Sequence, residues 1–263
     1  MSASASGQPH ERITAAIRRT TDAGGTALVP YITAGYPQKD RFITTLRAIA
    51  SATDVVEVGV PFSDPMADGV TIQRASHAAI AAGVSLRWIL AELAAAAPFD
   101  APIVLMSYLN PLLNFGFKRL AEASVPAGVC GFIVPDLPIE ESAELAVALD
   151  AQGLALIQLV TPATPPERLR MLCTASRGFV YAVTVTGITG GARELPAEVT
   201  GYLDRVRALT TLPVCAGFGV RRAEQVRKLA PHTDGVVVGS ALVEQLEAGV
   251  DPVGFLRGLR AVQ

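Results

Sequence analysis

The stretch from Glu57 to Asp68, which reads EVGVPFSDPMAD, begins and ends with a carboxylate. Glu57 follows Val55 and Val56 in an apolar, strand-like run, whereas Asp68 lies on the polar loop that comes next. Burial raises the pKa of an acid and solvation keeps an acid ionised, so the two groups can take different proton-transfer roles. The pair predicts an enzyme that uses general acid/base chemistry.

Each acid also has a structural interpretation. Taken alone, Glu57 fits a buried acid tied to an interior arginine or to a backbone amide. Asp68 precedes Gly69, and Asp-Gly is a common turn pair, so a cap on a helix that begins near Val70 explains Asp68 better when it is taken alone. The catalytic interpretation therefore depends on the rest of the chain.

Glycine-rich motifs in the last third of the chain indicate a phosphate site. GITGG begins at Gly187, AGFG at Ala216 and VGSA at Val238. Such loops, when they lead into a helix, present N–H groups and a positive dipole end to an anion. One of them would also suit strand geometry alone, but three in succession favour a phosphate ester, with Ser240 adding a hydroxyl donor at the start of a short helix.

Few lysines and histidines are available for other chemistries. Lys39, Lys118 and Lys228 lie away from the ends of strand-like runs, which disfavours a Schiff-base or PLP enzyme. The three histidines form no ligand pair, which disfavours a histidine-based metal centre. Proton chemistry without a cofactor or a metal in this chain is the prediction that remains.

Composition narrows the class of protein further. A net charge of -2 and the lack of a long basic run argue against nucleic-acid binding. The apolar runs are too short to span a bilayer, and the N-terminus lacks a signal-peptide core. An odd number of widely spaced cysteines, Cys130, Cys173 and Cys215, predicts buried thiols in a reducing cytoplasm.

Short apolar runs alternate with helical-period segments along the chain, which predicts a single-domain (β/α)8 TIM barrel over residues 1–263. We expect an extra N-terminal helix and a flexible tail over residues 1–9. Helices are predicted at 42–52, 72–82, 86–96, 117–123, 139–152, 166–175, 202–209 and 221–229. Strands are predicted at 27–32, 55–58, 103–106, 131–134, 155–159, 179–183, 213–216 and 235–238.

The active site of such a barrel is built at the carboxyl ends of its strands. Alternation along the second strand turns Glu57 and Gly59 inward, with the glycine expected to leave room for a ligand. Five apolar residues at or beside strand ends fit the walls of a flat aromatic pocket, although core packing explains each of them equally well. They are Tyr31, Met106, Tyr108, Tyr181 and Phe218.

Seven motifs along the chain resemble those of the tryptophan synthase alpha chain family. In chain order they are YITAGYP, EVGVPFSDPMADG, YLNP, PDLP, GITG, GFG and GS. The resemblance covers nearly the whole chain. It implies reversible retro-aldol cleavage of indole-3-glycerol phosphate to indole and glyceraldehyde 3-phosphate. It makes Glu57 the general acid/base and Asp68 the acceptor for the indole N–H.

The resemblance also implies the rest of the site. Thr189 joins the wall residues in contacting substrate, and loops near 64–68 and 189–193 act as lids. Thr184, before the second lid, and the doubled Gly190-Gly191 within it depart from the usual family pattern. The implied phosphate-binding residues are Gly190, Gly217, Gly219, Gly239 and Ser240, and the resemblance also places Phe218 at this end of the site.

A partner is implied as well: a separate, PLP-dependent beta chain in an α2β2 heterotetramer, with no cofactor in this chain. A loop packed on its own barrel is an equally good explanation of the apolar run at Pro111. The implied contacts are Asp64, Pro65, Asn110, Pro111 and Pro138.

Three alternatives stay open at this level. A sugar-phosphate isomerase or epimerase would share the late glycines without needing Asp68. A stand-alone indole-releasing lyase would work fully without a beta chain. A non-catalytic regulatory subunit would keep the fold and tolerate loss of Glu57.

Overall fold

A computed structural model describes residues 7–184, 197–217 and 219–260. Its strands form one parallel sheet in the order β5-β4-β3-β2-β1-β9-β8-β7-β6. The predicted barrel is confirmed, and every strand boundary lies within two residues of the predicted one. The strands are β1 Ala27–Thr33, β2 Val56–Gly59, β3 Ile103–Met106, β4 Val129–Ile133, β5 Ala155–Ile157, β6 Leu159–Val160, β7 Val180–Val183, β8 Val214–Gly217 and β9 Gly235–Val238.

The predicted fifth strand, 155–159, is split into two short strands at Gln158. The N–H of Gln158 donates to Ser176 Oγ at 3.0 Å instead of to a neighbouring strand. As a result β5 pairs with β4 and β6 pairs with β7, so the two together occupy one position of the barrel.

Helices follow the strands and cover the outside of the sheet. The predicted segment 139–152 is realised as a 3₁₀ turn, Ile139–Glu141, followed by a separate helix. Pro9 begins the expected N-terminal helix, and residues 1–6 of the predicted tail lie outside the described residues. The helices are α1 Pro9–Asp22, α2 Phe42–Ala50, α3 Val70–Ala81, α4 Leu86–Ala96, α5 Leu109–Phe115, α6 Phe117–Ser124, α7 Ala143–Asp150, α8 Pro166–Ala175, α9 Ala197–Arg207, α10 Ala223–Leu229, α11 Ser240–Glu247 and α12 Pro252–Arg260.

Alternate residues of each strand supply two separate cores. Val56 and Val58 of β2 lie in the outer core, which packs the sheet against the helices. Val55 lies in the inner core with Val104 and Cys130 from the next strands. Side chains of a strand alternate between its two faces, so Glu57 points into the barrel as predicted.

Helix α1 closes the amino-terminal end of the barrel. Ile13 and Ile17 are fully buried and belong to the inner core. Thr14 fastens the helix by donating from Oγ1 to the carbonyl of Gly178 at 2.7 Å. The interior is therefore sealed by apolar packing at this end.

Within 7–184, 197–217 and 219–260, no single helix is long and apolar enough to cross a membrane. Helices α3 and α4, which are bent 85° against each other, meet the length and composition requirement only as a pair.

Candidate active site

Ionisable and aromatic side chains gather at the carboxyl end of the barrel, where neighbouring parallel strands place them side by side. In the strand register Tyr31 of β1 lies opposite Glu57 of β2, and Gly59 lies opposite Met106 of β3. Tyr181 of β7 faces the same interior and packs against the inner core. Strand pairing thus brings together three of the predicted site residues, Tyr31, Glu57 and Met106, and the barrel turns Tyr181 toward the same interior.

The carboxylate of Glu57 is buried without a partner. The residue is 1% exposed, and among the described residues neither oxygen has a hydrogen-bond partner. Burial, followed by the charge of Asp68, raises the pKa of Glu57 to about 8. The alternative of an acid tied to an arginine or a backbone amide finds no support in the described contacts.

Asp68 is held by a tyrosine at the end of the neighbouring strand. Tyr108 Oη donates to Asp68 Oδ2 at 3.1 Å and accepts from the N–H of Ala67 at 2.8 Å. Burial raises the pKa of Asp68 to about 6, and the hydrogen bond from Tyr108 partly opposes that rise. Asp68 therefore remains mostly ionised at neutral pH, although it is less solvated than a polar loop residue was expected to be.

The capping role considered for Asp68 is wrong. Gly69 is the N-cap residue of α3, and no side chain caps this helix. The carboxylate of Asp68 turns to Tyr108 instead, because the loop doubles back toward β3. Its side chain is available for chemistry.

Two residues that sequence reasoning did not select also hold this loop. The ring of Phe62 stacks on Tyr108 with centroids 5.0 Å apart. Gln73 Nε2 donates to the backbone carbonyl of Asp68 at 2.9 Å. Phe62 stands inside the motif around Glu57 and was within reach of sequence reasoning, whereas no pattern marks Gln73.

The space at Gly59 belongs to Tyr31, not to a ligand as predicted. A Cβ atom at Gly59 would lie 2.0 Å from Tyr31 Oη. The ring of Tyr31 fills this space and its hydroxyl lies 3.3 Å from Thr33 Oγ1. Glycine is needed here so that a neighbouring aromatic ring can lie flat across the strand.

Tyr181 and Gly217 repeat the same arrangement on the other side of the barrel. A Cβ atom at Gly217 would lie 2.2 Å from Tyr181 Cε1. Burial first, and the charge of Glu57 second, raise the pKa of Tyr181 well above its usual range. Thr184 is buried and donates from Oγ1 to the carbonyl of Gly217 at 3.2 Å, which fixes the end of β7 against β8.

The phosphate end of the predicted site is only partly described. Gly239 is the N-cap residue of α11 and Ser240 is its first residue, which confirms the predicted helix start. Gly219 lies between β8 and α10. Three of the predicted residues lie outside the described ranges: Thr189, Gly190 and Phe218.

The predicted partner contacts lie on loops and helix starts that follow β2, β3 and β4. Asp64, Asn110 and Pro138 are exposed and Pro111 is half-buried. Pro65 is buried within its own loop, where its carbonyl accepts from the N–H of Asp68 at 3.1 Å. Four of the five side chains are therefore accessible at the end of the barrel that carries the acids.

Across the described ranges, no three His, Cys, Asp or Glu side chains are grouped as metal ligands. A parallel barrel whose carboxyl end holds a buried acid, with no partner in the described ranges, beside a second acid defines a barrel enzyme of the acid/base class. The sequence profile of the tryptophan synthase alpha chain family matches residues 17–253. The chain belongs to this family, and it is a lyase of the kind that cleaves indole-3-glycerol phosphate.

Individual relatives agree. The tryptophan synthase alpha chain of Nitratidesulfovibrio vulgaris strain DP4 is 45% identical over 248 residues, covering 94% of this chain and 96% of the relative. That of Roseiflexus castenholzii is 45% identical over 239 residues, covering 90% and 92%. Among solved structures, tryptophan synthase from Mycobacterium tuberculosis has a TM-score of 0.88 at 37% identity over 95% of this chain and 97% of that chain. Subunit alpha from Legionella pneumophila has a TM-score of 0.84 at 34% identity over 95% and 97%.

Proposed function

We propose that this chain, folded as one domain, cleaves indole-3-glycerol phosphate reversibly to indole and glyceraldehyde 3-phosphate, with Glu57 as general acid/base. The observation that carries the proposal is the carboxylate of Glu57, which is buried, lacks a partner among the described residues and has a pKa of about 8. Such a group exists in both protonation states near neutral pH. It can therefore give and take a proton in one catalytic cycle.

The reaction needs two proton transfers and one carbon–carbon bond cleavage. Protonated Glu57 delivers its proton to indole C3, and the ring nitrogen takes up the positive charge that develops. The resulting carboxylate removes the proton from the substrate hydroxyl on the glycerol carbon that is bonded to indole C3. The C–O bond then becomes the aldehyde carbonyl while the electron pair of the breaking C–C bond returns to the ring, releasing indole.

Asp68 acts on the indole nitrogen. Its carboxylate, which Tyr108 orients at 3.1 Å, accepts the indole N–H and stabilises the positive charge formed when C3 is protonated. Its pKa of about 6 keeps it mostly ionised where Glu57 is mostly protonated. Two acids with pKa values held apart by their surroundings can fill these two roles.

Aromatic and glycine-rich elements bind the two ends of the substrate in this proposal. Tyr31, Met106, Tyr108 and Tyr181 line the indole side. The family resemblance adds Thr189 and Phe218 to the substrate-binding residues. The start of α11 supplies N–H donors and a dipole end that suit a phosphate. The phosphate-binding residues are Gly190, Gly217, Gly219, Gly239 and Ser240.

We further propose a beta chain as partner, in an α2β2 heterotetramer within the cytoplasm, where PLP belongs to the beta chain and this chain holds no cofactor. Exposure of Asp64, Asn110 and Pro138 at the site's end of the barrel supports the partner. The buried free thiols support the cytoplasmic location. Pro65 and Pro111 complete the proposed contact. The solved relative from Mycobacterium tuberculosis is a tryptophan synthase, which fits a shared assembly.

Indole release from indole-3-glycerol phosphate tests the proposal. Wild type should release indole slowly alone and faster with a purified beta chain, and Asp68→Asn should lose roughly 100-fold in kcat. Full activity without a beta chain would favour a stand-alone lyase. Wild type that releases no indole under either condition, or that interconverts sugar phosphates instead, would refute the proposed function.

A further inference from the structure

The carboxylate of Glu244, which lies outside the proposed site, contacts segments next to both its phosphate end and its Asp68 loop. Glu244 lies on α11, one turn after Ser240. Its oxygens accept from Arg221 Nη1 at 2.7 Å and Nη2 at 2.9 Å, and Oε1 also accepts from Thr71 Oγ1 at 3.2 Å. Thr71 is the second residue of α3, the helix that begins immediately after the loop of Asp68. Glu244 thus ties together three chain segments that leave the carboxyl end of the barrel.

A second set of contacts lies one turn further along both helices. Arg74 of α3 donates from Nε and Nη2 to Glu247 of α11 at 2.7 to 3.2 Å, and Tyr36 Oη donates to Glu247 Oε1 at 2.6 Å. Between the two helices, Val243 is 1% exposed and packs with Ile72. Helices α3 and α11 therefore touch through an apolar seam, the hydrogen bond from Thr71 to Glu244 and the ion pair between Arg74 and Glu247.

This seam rests on the site itself. Val243 and Ile72 belong to the same buried cluster as Tyr31, which lies opposite Glu57. A Cβ atom at Gly239 would lie 3.8 Å from Tyr31 Cβ, so the start of α11 is also in reach of that ring. A displacement of α11 against α3 would therefore move side chains that pack with Tyr31, the neighbour of Glu57 in the strand register.

We infer that Glu244 is a positioning residue that couples the phosphate end of the site to Asp68 through Arg221 and Thr71, an inference that rests on the proposed function. Arg221 follows Gly219 closely in the chain, and Ser240 begins the helix that carries Glu244. A phosphate ester bound at Gly219 and Ser240 restrains these two segments. Glu244 passes that restraint to Thr71, and so to the loop that aims Asp68 at the indole nitrogen.

The charges support a fixed geometry. The hydrogen bonds from Arg221 are the largest cause that lowers the pKa of Glu244, so the carboxylate stays ionised throughout the working pH range. A bidentate arginine–carboxylate pair holds its plane and direction better than a lysine pair does. The half-exposed surroundings mean that the pair adds little to overall stability, so its effect should appear in catalysis.

The kinetic test uses Glu244→Gln and Thr71→Val with indole-3-glycerol phosphate, on the chain without a partner. We expect each variant to lose roughly tenfold in kcat/KM, with a raised KM and a lowered kcat, because small misplacements remote from the reacting atoms reduce the rate sharply. The double variant should lose little more than either single variant, because both interrupt the same series of contacts from Arg221 through Glu244 to Thr71. A matched control is Glu140→Gln, which breaks the exposed bidentate pair between Glu140 and Arg168 and should keep wild-type kinetics.

Hydrogen exchange provides a readout that does not depend on turnover. Saturating glycerol 3-phosphate should protect the amides of residues 68–81 in wild type and in Glu140→Gln, but not in Glu244→Gln. Protection that persists in Glu244→Gln, wild-type kcat and KM in that variant, or equal losses in Glu140→Gln would overturn the inference. Wild type that releases no indole would refute the proposed function alone, and the exchange experiment would still decide the coupling.

Discussion

Buried acids at the two ends of the barrel differ in how they are satisfied. At the amino-terminal end, Asp54 is 6% exposed and accepts from the N–H of Leu28 at 2.8 Å, from Thr20 Oγ1 at 2.5 Å and from Arg260. At the carboxyl end, Glu57 is more deeply buried and has no partner among the described residues. The first arrangement stabilises the fold, whereas the second stores a reactive proton, because a buried acid without donors favours its neutral form.

Asp234 shows that the structural arrangement is systematic. It accepts from the N–H of Val214 at 2.8 Å and from Arg207 Nη2 at 3.5 Å. Asp54 and Asp234 each precede a strand and fasten the start of a neighbouring one. Buried acids therefore fasten neighbouring strands at one end of the barrel, whereas proton transfer is the role proposed for the buried acid at the other.

The largest effect should come from Glu57→Gln, which keeps the shape of the side chain and removes its proton transfer. We expect kcat for indole release to fall by at least about 100-fold. Chemical denaturation should show no loss of stability, since no described hydrogen bond is broken. Unchanged turnover in this variant would contradict the assigned role.

The same variant tests the sign of a pH effect. The pKa of Glu57 is about 8 in the folded chain against an ordinary value of 4.5, so between these pH values the folded state binds more protons than the unfolded state. The contribution of Glu57 to the free energy of unfolding is therefore complete below about pH 4.5 and declines as the pH rises to about 8. The free energy of unfolding, measured by chemical denaturation between pH 5 and 9, should fall less steeply with rising pH for Glu57→Gln than for wild type.

Asp54→Ala should lower stability and leave activity unchanged, which is the opposite of the result expected for Glu57→Gln. Removing the acceptor leaves the N–H of Leu28 and the guanidinium of Arg260 unpaired, and we expect a loss of about 3 kcal/mol in the free energy of unfolding. Below the unfolding transition, kcat for indole release should stay near wild type. Asp100→Ala, at an exposed aspartate, is the control and should change stability by less than about 0.5 kcal/mol.

A smaller effect is expected from Gly59→Ala, which places a methyl group 2.0 Å from Tyr31 Oη. The ring of Tyr31 must move, at an expected loss of about 2 kcal/mol in stability together with reduced activity. Gly258→Ala, where nothing lies within 4 Å, serves as the control and should be neutral or stabilising. A fully active and stable Gly59→Ala chain would mean that Tyr31 is free to leave this space.

The smallest change is Tyr108→Phe, which keeps the stacked ring and removes the hydrogen bond to Asp68 Oδ2. We expect kcat/KM to fall roughly fivefold, in line with a net loss of about 1 kcal/mol. Tyr202→Phe is the matched control, because the buried hydroxyl of Tyr202 has no partner among the described residues. Equal effects of the two substitutions would argue against a role for Tyr108 in orienting Asp68.

The parts of the molecule that sequence could predict are those set by local pattern. Strand positions follow from short apolar runs, and the inward direction of Glu57 follows from the two-residue period of a strand; both are properties of the chain alone. The start of α11 at Ser240 follows from a glycine that ends a strand. The family resemblance was likewise carried by contiguous motifs.

Other features depend on contacts between distant segments and leave no such pattern. Asp-Gly at position 68 has the same local chemistry whether it caps a helix or turns toward Tyr108, and only the packing of the loop decides. The break at Gln158 requires Ser176, which comes from the end of the following helix. Gly59 was expected to leave room for a ligand, but the ring of Tyr31 from the neighbouring strand takes that space.

Helix α1 closes one end of the barrel, so that small molecules can pass only through the other end. Because Ile13 and Ile17 close the amino-terminal end with fully buried side chains, a molecule in the interior has to enter and leave at the carboxyl end. That is also the end at which the predicted partner residues Asp64, Asn110 and Pro138 are exposed. A released indole would therefore leave this chain on the side where a second chain is expected to receive it, so a short N-terminal helix fixes the route of the product.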